Sequence, residues 1–132
     1  MTELLYRNES YKIRGACFNV YNVLGGGIKE KIIEKALIQE LLLQGFKVEN
    51  QLKIDILYKG EKVGVYVLDI LVNEKIILEI KSKLEITTED KKQFWSYLKG
   101  SDYKLGFLIV FSPKKLLIKR FIHTKKNLYK SV

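Results

Sequence analysis

Val65-Tyr66-Val67-Leu68-Asp69-Ile70-Leu71-Val72-Asn73-Glu74-Lys75-Ile76-Ile77-Leu78-Glu79-Ile80-Lys81 is the stretch that decides the fold. Two apolar runs flank a short polar break at Asn73-Glu74-Lys75. Runs this rich in Val, Ile and Leu suit strands buried on both faces. Asp69, Glu79 and Lys81 interrupt them, and a carboxylate in a buried strand is costly unless it is paired, hydrogen-bonded or bound to a metal. Glu79 and Lys81 are two apart, so their side chains leave one face, roughly 7 Å apart along the strand. Antiparallel pairing of the runs brings Asp69 to that face if residue 69 lies opposite 79, which leaves Asn73 to Lys75 as the loop. A tighter turn at Asn73-Glu74 puts 69 opposite 78 and sends Glu79 to the other face. The place of Asp69 depends on the register of this hairpin.

Such a cluster supports metal-assisted hydrolysis. Two carboxylates make a hard oxygen site suited to Mg²⁺ or Mn²⁺. The metal lowers the pKa of a bound water and stabilises charge on a phosphoryl group. A neighbouring Lys can hold the attacking water and neutralise charge in the transition state. The plainer alternative is an ordinary Glu79–Lys81 ion pair on a half-exposed strand, with Asp69 ending its neighbour.

The 132 residues are expected to form a single domain with a core of its own. Nearly half the residues are apolar and one is proline, as in a globular chain. The formal charge of +9, carried mostly by Lys, favours nucleic acid or another polyanion as partner, although a soluble Lys-rich surface has the same composition. Cys17 is the sole cysteine, which excludes an intramolecular disulfide and a thiolate zinc site, and His123 the sole histidine, which argues against a His-based metal site or a Ser-His triad. No apolar run approaches the ~20 residues of a membrane span, and no signal-peptide pattern opens the chain. The expected compartment is the cytoplasm.

Met1 to Glu9 read as a lead-in. Ser10 is the expected N-cap of a helix to about Leu24, with Ile13, Cys17, Val20 and Leu24 as its apolar stripe. Gly25-Gly26-Gly27 stops it and is no phosphate loop, since no Gly-Lys-Ser/Thr follows. A second helix spans about Ile28 to Gln44, with Ile28, Ile32, Ala36 and the Ile33–Leu37 pair on its buried side. Glu30 in its first turn is either a carboxylate favourable to the helix dipole or an acid aimed at the metal cluster. Phe46 to Val48 and Leu52 to Tyr58 read as strands or one interrupted strand, with Asp55 facing solvent. Thr87 and Asp90 form a capping box for a third helix to about Lys99. Gln93 and Tyr97 share one face of it, at the edge of the helix–sheet interface or in contact with substrate. Leu105 to Phe111 and Leu116 to Ile122 are the last strands. From Pro113 onward there are seven Lys or Arg and no acidic residue, an electrostatic footprint for phosphates or a solvated tail. The order α-α-β-β-β-α-β-β predicts an α/β fold, a mixed central sheet flanked by helices.

Several of these stretches together resemble the GxxExxY proteins, a small branch of the PD-(D/E)XK nuclease superfamily. The naming motif falls at Gly27-Ile28-Lys29-Glu30-Lys31-Ile32-Ile33, followed by Tyr58-Lys59-Gly60 through Val63-Gly64 to Asp69. Glu79-Ile80-Lys81 is similar to the core Glu-x-Lys. Gln93 to Lys99 resembles the Gln-x-x-x-Tyr-Leu helix, and Gly106 to Phe111 with the Lys119-Arg120 strand the closing segment. The similarity spans nearly the whole chain. It implies a PD-(D/E)XK nuclease-like core over residues 1–132. It also implies a Mg²⁺ (or Mn²⁺) site at Asp69 and Glu79 joined by Glu30, and a catalytic set of Asp69, Glu79, Lys81 and Glu30. Substrate contacts would come from Gln93, Tyr97, Lys119 and Arg120. Ile33 stands where the family name has Tyr, Leu68 is bulkier than the residue usual before the Asp, and the superfamily's Pro before that Asp is absent.

The expected function is metal-dependent hydrolysis of phosphodiester bonds, in DNA before RNA, by an endo- or exonuclease without a membrane partner. A homodimer is the form in which such enzymes often cut both strands. Two alternatives use the same fold: a nucleic-acid-binding module that does not cut, and a protein-interaction domain whose charge serves solubility.

Overall fold

The computed structural model describes residues 6–124. Two helices, α1 (Arg7–Leu24) and α2 (Glu30–Leu43), precede strands β1 (Val48–Tyr58), β2 (Glu61–Val72) and β3 (Ile76–Lys81). Helix α3 (Thr88–Gly100) and strands β4 (Leu105–Phe111) and β5 (Leu116–Ile122) complete the order. The strands form one mixed sheet in sequence order. β3–β4 is its parallel pair, with α3 as the crossover, and the other neighbours are antiparallel. No helix among the described residues is long and apolar enough to cross a membrane.

Each face of the sheet has its own core. Beneath α1 and α2, Ile70, Val72, Ile76, Leu78, Ile80, Phe107 and Ile109 pack on Ile13, Cys17, Ile33 and Leu37. On the other face, Tyr66, Leu68, Leu71, Ile77 and Leu108 pack on Phe94 and Leu98 of α3. Burying a large aliphatic side chain is worth about 1.5–3 kcal/mol, so these two layers dominate stability.

The helices depart from expectation in instructive ways. α1 starts a turn before Ser10, because Ser10 N–H already bonds to the Tyr6 carbonyl and its side chain is buried. Ser10 is an interior residue and not the cap. α2 starts at Glu30, since Lys29 is extended (ψ 139°). Its inward side is Ile33, Glu34, Leu37 and Leu41, whereas Ile32 is half exposed. Ile28 and Ala36 pack on the core and the Ile33–Leu37 pair is buried as expected, but Ile32 is not, and an acid, Glu34, takes an inward place. In α3 the capping box forms as expected, with both Thr87–Asp90 bonds made.

The long hairpin turns over near its middle. Tyr66 and Leu68 face α3, yet Ile70 and Val72, of the same parity, face α1 and α2. Side chains alternate along a regular strand, so β2 must break its alternation between Leu68 and Ile70. β1 does the same: Val48 packs under the N-terminal helices, and Leu52, Ile54 and Ile56 pack on the α3 side. Gln51, at φ 52°, lies at the break. Asn50 pairs with Ile70 and Leu52 with Leu68, so Gln51 and Asp69 fall together at this irregularity.

The α1–α2 loop is pinned against the β4–β5 turn. A Cβ on Gly26 would overlap the Ser112 carbonyl, whose oxygen also accepts the Tyr21 hydroxyl at 2.6 Å. Ser82 ties the far end of the loop, donating through Oγ to the Ile28 carbonyl at 2.5 Å. Gly26→Ala is predicted to destabilise the fold by about 1–3 kcal/mol through this backbone overlap. Thermal unfolding followed by circular dichroism would read it as a lowered Tm. An unchanged Tm would show that the loop is not held as described.

Candidate active site

The register that carries Asp69 toward Glu79 is the one that forms. Val72 pairs with Ile76, Leu71 with Ile77 and Ile70 with Leu78, leaving Asn73 to Lys75 as the loop. Asn73 and Glu74 are both left-handed (φ 52° and 58°). Asn73 accepts Lys47 N–H through Oδ1 at 2.9 Å and returns its own N–H to the Lys47 carbonyl. Continued, this ladder would place Asp69 opposite Glu79. It stops at Ile70–Leu78, and Asp69 Oδ2 accepts the Ile80 N–H at 2.8 Å in place of a backbone carbonyl. The carboxylate is thereby fixed where two strands separate.

Glu79 projects on the α3 face, where Oε1 accepts the Tyr66 hydroxyl at 2.9 Å. Tyr66 stacks on Tyr97 of α3, with centroids 3.7 Å apart and planes 15° from parallel. The Tyr66–Tyr97 stack thus supports the hydrogen bond to Glu79. Lys81 follows on the same side of β3. Its Nζ lies 3.9 Å from Asp90 Oδ1, and Lys83 Nζ bonds Asp90 Oδ2 at 2.7 Å. Gln93 is exposed on α3 between Asp90 and Tyr97, three residues from one and four from the other.

A cavity of about 90 Å³ opens beside Asp69, lined by Glu30, Glu34, Gln51 and Ile80 among others. Glu34 is buried and accepts Gln51 Nε2 at 2.7 Å. Glu30 Oε2 accepts the Ser82 N–H at 3.1 Å. Among the described residues, no three His, Cys, Asp or Glu side chains converge as a ready cation cage. Glu30 is thus held at the rim by Ser82 and does not close a triad with Asp69 and Glu79.

Burial works against the charge of both carboxylates. Burial pushes Asp69 above the usual carboxylate range against the pull of the Ile80 N–H, and the negative charge of Glu34 adds to the rise. Glu79 is pushed up to about 7, first by burial and then by the charge of Asp69. The Tyr66 hydroxyl and Lys81 pull it back in part. Burial, then the Glu79 charge, also raises Tyr66, keeping it a hydroxyl donor. Asp69 thus opposes the ionisation of Glu79, whereas a hydrogen bond from Glu79 favours the charge of Asp69. A cation beside two half-buried acids relieves the cost of charging both. The donor set is hard oxygen throughout, which fits a divalent ion of the Mg²⁺ type.

The two basic positions of β5 part company. Glu79 pairs with Leu108 and Leu108 with Lys119, so Lys119 stands in the cross-strand row of Glu79, on the α3 face. Arg120 pairs with Phe107, whose side chain packs under α1 and α2, so it points to the other face. Lys125, Lys126 and Lys130 of the basic C-terminal segment lie outside the described residues.

A mixed sheet with a carboxylate pair and a lysine at a strand separation is the architecture of a nuclease class. The chain belongs to the PD-(D/E)XK nuclease superfamily, whose family model matches residues 7–121. Its members generally use divalent metals and act on nucleic acid. No curated protein matches the sequence. Among solved structures the chain is similar to an alkaline exonuclease (LHK-Exo) from Laribacter hongkongensis. Identity is 13%, the TM-score is 0.45, and 98% of this chain and 76% of that one are covered. It is also similar to the protein SSO0001, at 20% identity and TM-score 0.46, over 95% of this chain and 64% of that one.

Glu34 and Tyr66 touch the candidate site and were passed over by sequence reasoning, which named Asp90 only as a cap. The signal for Glu34 was an acid inside the 33/37/41 stripe. That for Tyr66 was a strand tyrosine on the parity that meets α3.

Asp90 gives a pH prediction. Burial works against its charge, but bonds from Lys83 and the Thr87 N–H outweigh that and hold its pKa at about 2, below the usual 3.8. A depressed carboxylate stabilises the fold above its unfolded pKa and loses that contribution as pH falls through the folded one. Asp90→Asn should cost about 1–2 kcal/mol in urea unfolding at pH 6, shrinking toward zero near pH 2. An equal cost at both ends would contradict the ion-pair account.

Proposed function

We propose that the chain is a divalent-metal-dependent nuclease that hydrolyses phosphodiester bonds in DNA, and that it is of the GxxExxY branch. The observation that carries this reading is the pair of opposed carboxylates, Asp69 and Glu79, at the separation of β2 and β3 beside Lys81. Gly27, with φ 79°, leading through extended Lys29 into Glu30 supports the branch assignment. Ile33 is wholly buried, so this position serves packing here in place of the Tyr of the family name.

Asp69 and Glu79 would hold the metal, Mg²⁺ or Mn²⁺, with Glu30 at the rim of the site. Bound there, the metal would acidify water and stabilise charge on the phosphoryl oxygens. The chain's own groups do the rest. The Ile80 N–H and Tyr66 hydroxyl fix the orientation of the two carboxylates, which favours catalysis because no reorganisation is left to the moment of reaction. Lys81, held near Asp90 by its charge, is placed to position the attacking water and to offset negative charge on the phosphate. Gln93 and Tyr97 line the α3 side of the approach and Lys119 contacts phosphate backbone at β5, whereas Arg120, on the opposite face of the sheet, lies away from this approach.

The test is cleavage of single- and double-stranded DNA and RNA by the purified protein, with Mg²⁺, Mn²⁺ or EDTA. DNA cutting is expected with metal and absent in EDTA. Lys81→Ala and Glu79→Gln should each lower the rate by roughly a hundredfold or more while retaining the fold. Cutting that persists in both variants would point to a contaminant, and no cutting by the folded protein would replace the enzyme with a binding module.

A further inference from the structure

A groove of about 680 Å³ lies on the α3 face, between the β3–α3 connection and the β4–β5 hairpin. Its floor is apolar, with Leu84, Ile86 and Leu117. Its walls carry Lys91 from α3 and Lys114, Lys115 and Lys119 from the hairpin, against a single acid, Glu85. The sheet registers connect it to the carboxylate site. Lys81 pairs with Val110 and Val110 with Leu117, while Glu79 pairs with Leu108 and Leu108 with Lys119. Leu117 and Lys119 therefore continue the rows of Lys81 and Glu79 two strands away, roughly 10 Å at the spacing of a sheet. A chain entering the groove runs directly off the carboxylate site.

Resting on the nuclease reading above, we propose that this groove binds the single DNA strand that continues from the scissile phosphate. Lysines from α3 and from the hairpin make a positively charged groove of the kind that tracks a single-strand backbone, and its apolar lining, Leu84, Ile86 and Leu117, gives unpaired bases a surface to lie on. A paired duplex keeps its base faces stacked inside, so it leaves that apolar floor unused. The choice of DNA over RNA rests on the nuclease reading above. The groove thus deepens the role of Lys119, adds Lys91, Lys114 and Lys115 as substrate-holding residues, and makes a single strand the preferred form.

The experiment measures binding without cleavage. Fluorescence anisotropy of labelled oligothymidylate is followed in EDTA over a salt series, with a hairpin duplex and oligouridylate in parallel arms. Single-stranded DNA should bind tightest, followed by RNA and then duplex. Lys114→Glu with Lys119→Glu should weaken binding and lower the slope of log K against log salt by about 0.7 for each phosphate no longer neutralised. Lys91→Glu, on the opposite wall, should do the same in part. Lys53→Glu on β1, exposed and far from the groove, serves as the charge control. Circular dichroism checks that each variant folds, and Lys91→Glu keeps the test alive if the hairpin pair does not. Equal losses from Lys53→Glu and the groove variants would overturn the proposal, as would tighter binding of duplex or RNA. If groove binding behaves as expected but no cleavage occurs with metal, the nuclease reading fails and the groove stands. If cleavage occurs and the lysine variants bind and cut like the parent, the groove fails and the nuclease stands.

Discussion

Asp69 accepts the N–H of Ile80, and that bond takes the place of a rung in the β2–β3 ladder. Much of the architecture around it follows from this replacement. A side chain reaching across to a neighbouring strand requires the strands to separate there, and the backbone ladder ends at Ile70–Leu78. The alternation of β2 and β1 breaks at the same level, with Gln51 left-handed. The space so opened is the cavity into which α2 directs Glu34 and Glu30. The bond is charge-assisted and partly shielded from water, which makes it stronger than a neutral one and fixes the carboxylate's direction.

The arrangement is costly to the protein alone. Burial pushes both Asp69 and Glu79 toward their protonated forms, with the charge of Glu34 adding to the rise at Asp69 and the charge of Asp69 adding to it at Glu79. Tyr66 and Lys81 offset the rise of Glu79 only in part. Structural carboxylates are usually paired more completely, as Asp90 is by Lys83 and the Thr87 N–H. The contrast between two neighbouring acid sites, one satisfied and one strained by burial, is what makes Asp69 and Glu79 the candidate site. Local stability comes from elsewhere: the two apolar layers, the Gly26–Ser112 contact and the capping box of α3 anchor the elements around the site.

The parts of the fold set by periodicity and turn chemistry were legible in the sequence. The strands Ile76–Lys81, Leu105–Phe111 and Leu116–Ile122 and the Thr87 cap follow from local pattern, whereas the sequence left two registers open for the Asn73–Lys75 hairpin and the pairing of Val72 with Ile76 selects one. Less legible were features that tertiary packing decides. The inward face of α2 is chosen by what it packs on, and beside the expected Ile33–Leu37 pair it brings Glu34, not Ile32, inward to Asp69's side. The start of α1 is moved by Tyr6, which packs on the core. β1 is one strand and not two, because Gln51 can be left-handed without ending the pairing. Tyr66 was invisible as a site residue because its partner, Glu79, lies across a strand pair, and its support, Tyr97, comes from a later helix.

The central claim is that Asp69 and Glu79 form one cation site created by the strand separation. Mn²⁺ binding, read by electron paramagnetic resonance on the purified protein, tests it without reference to catalysis. The account predicts saturable binding that is lost in both Asp69→Asn and Glu79→Gln, with the circular dichroism spectrum preserved. Binding that survives both substitutions, or no binding by the folded parent, would contradict it.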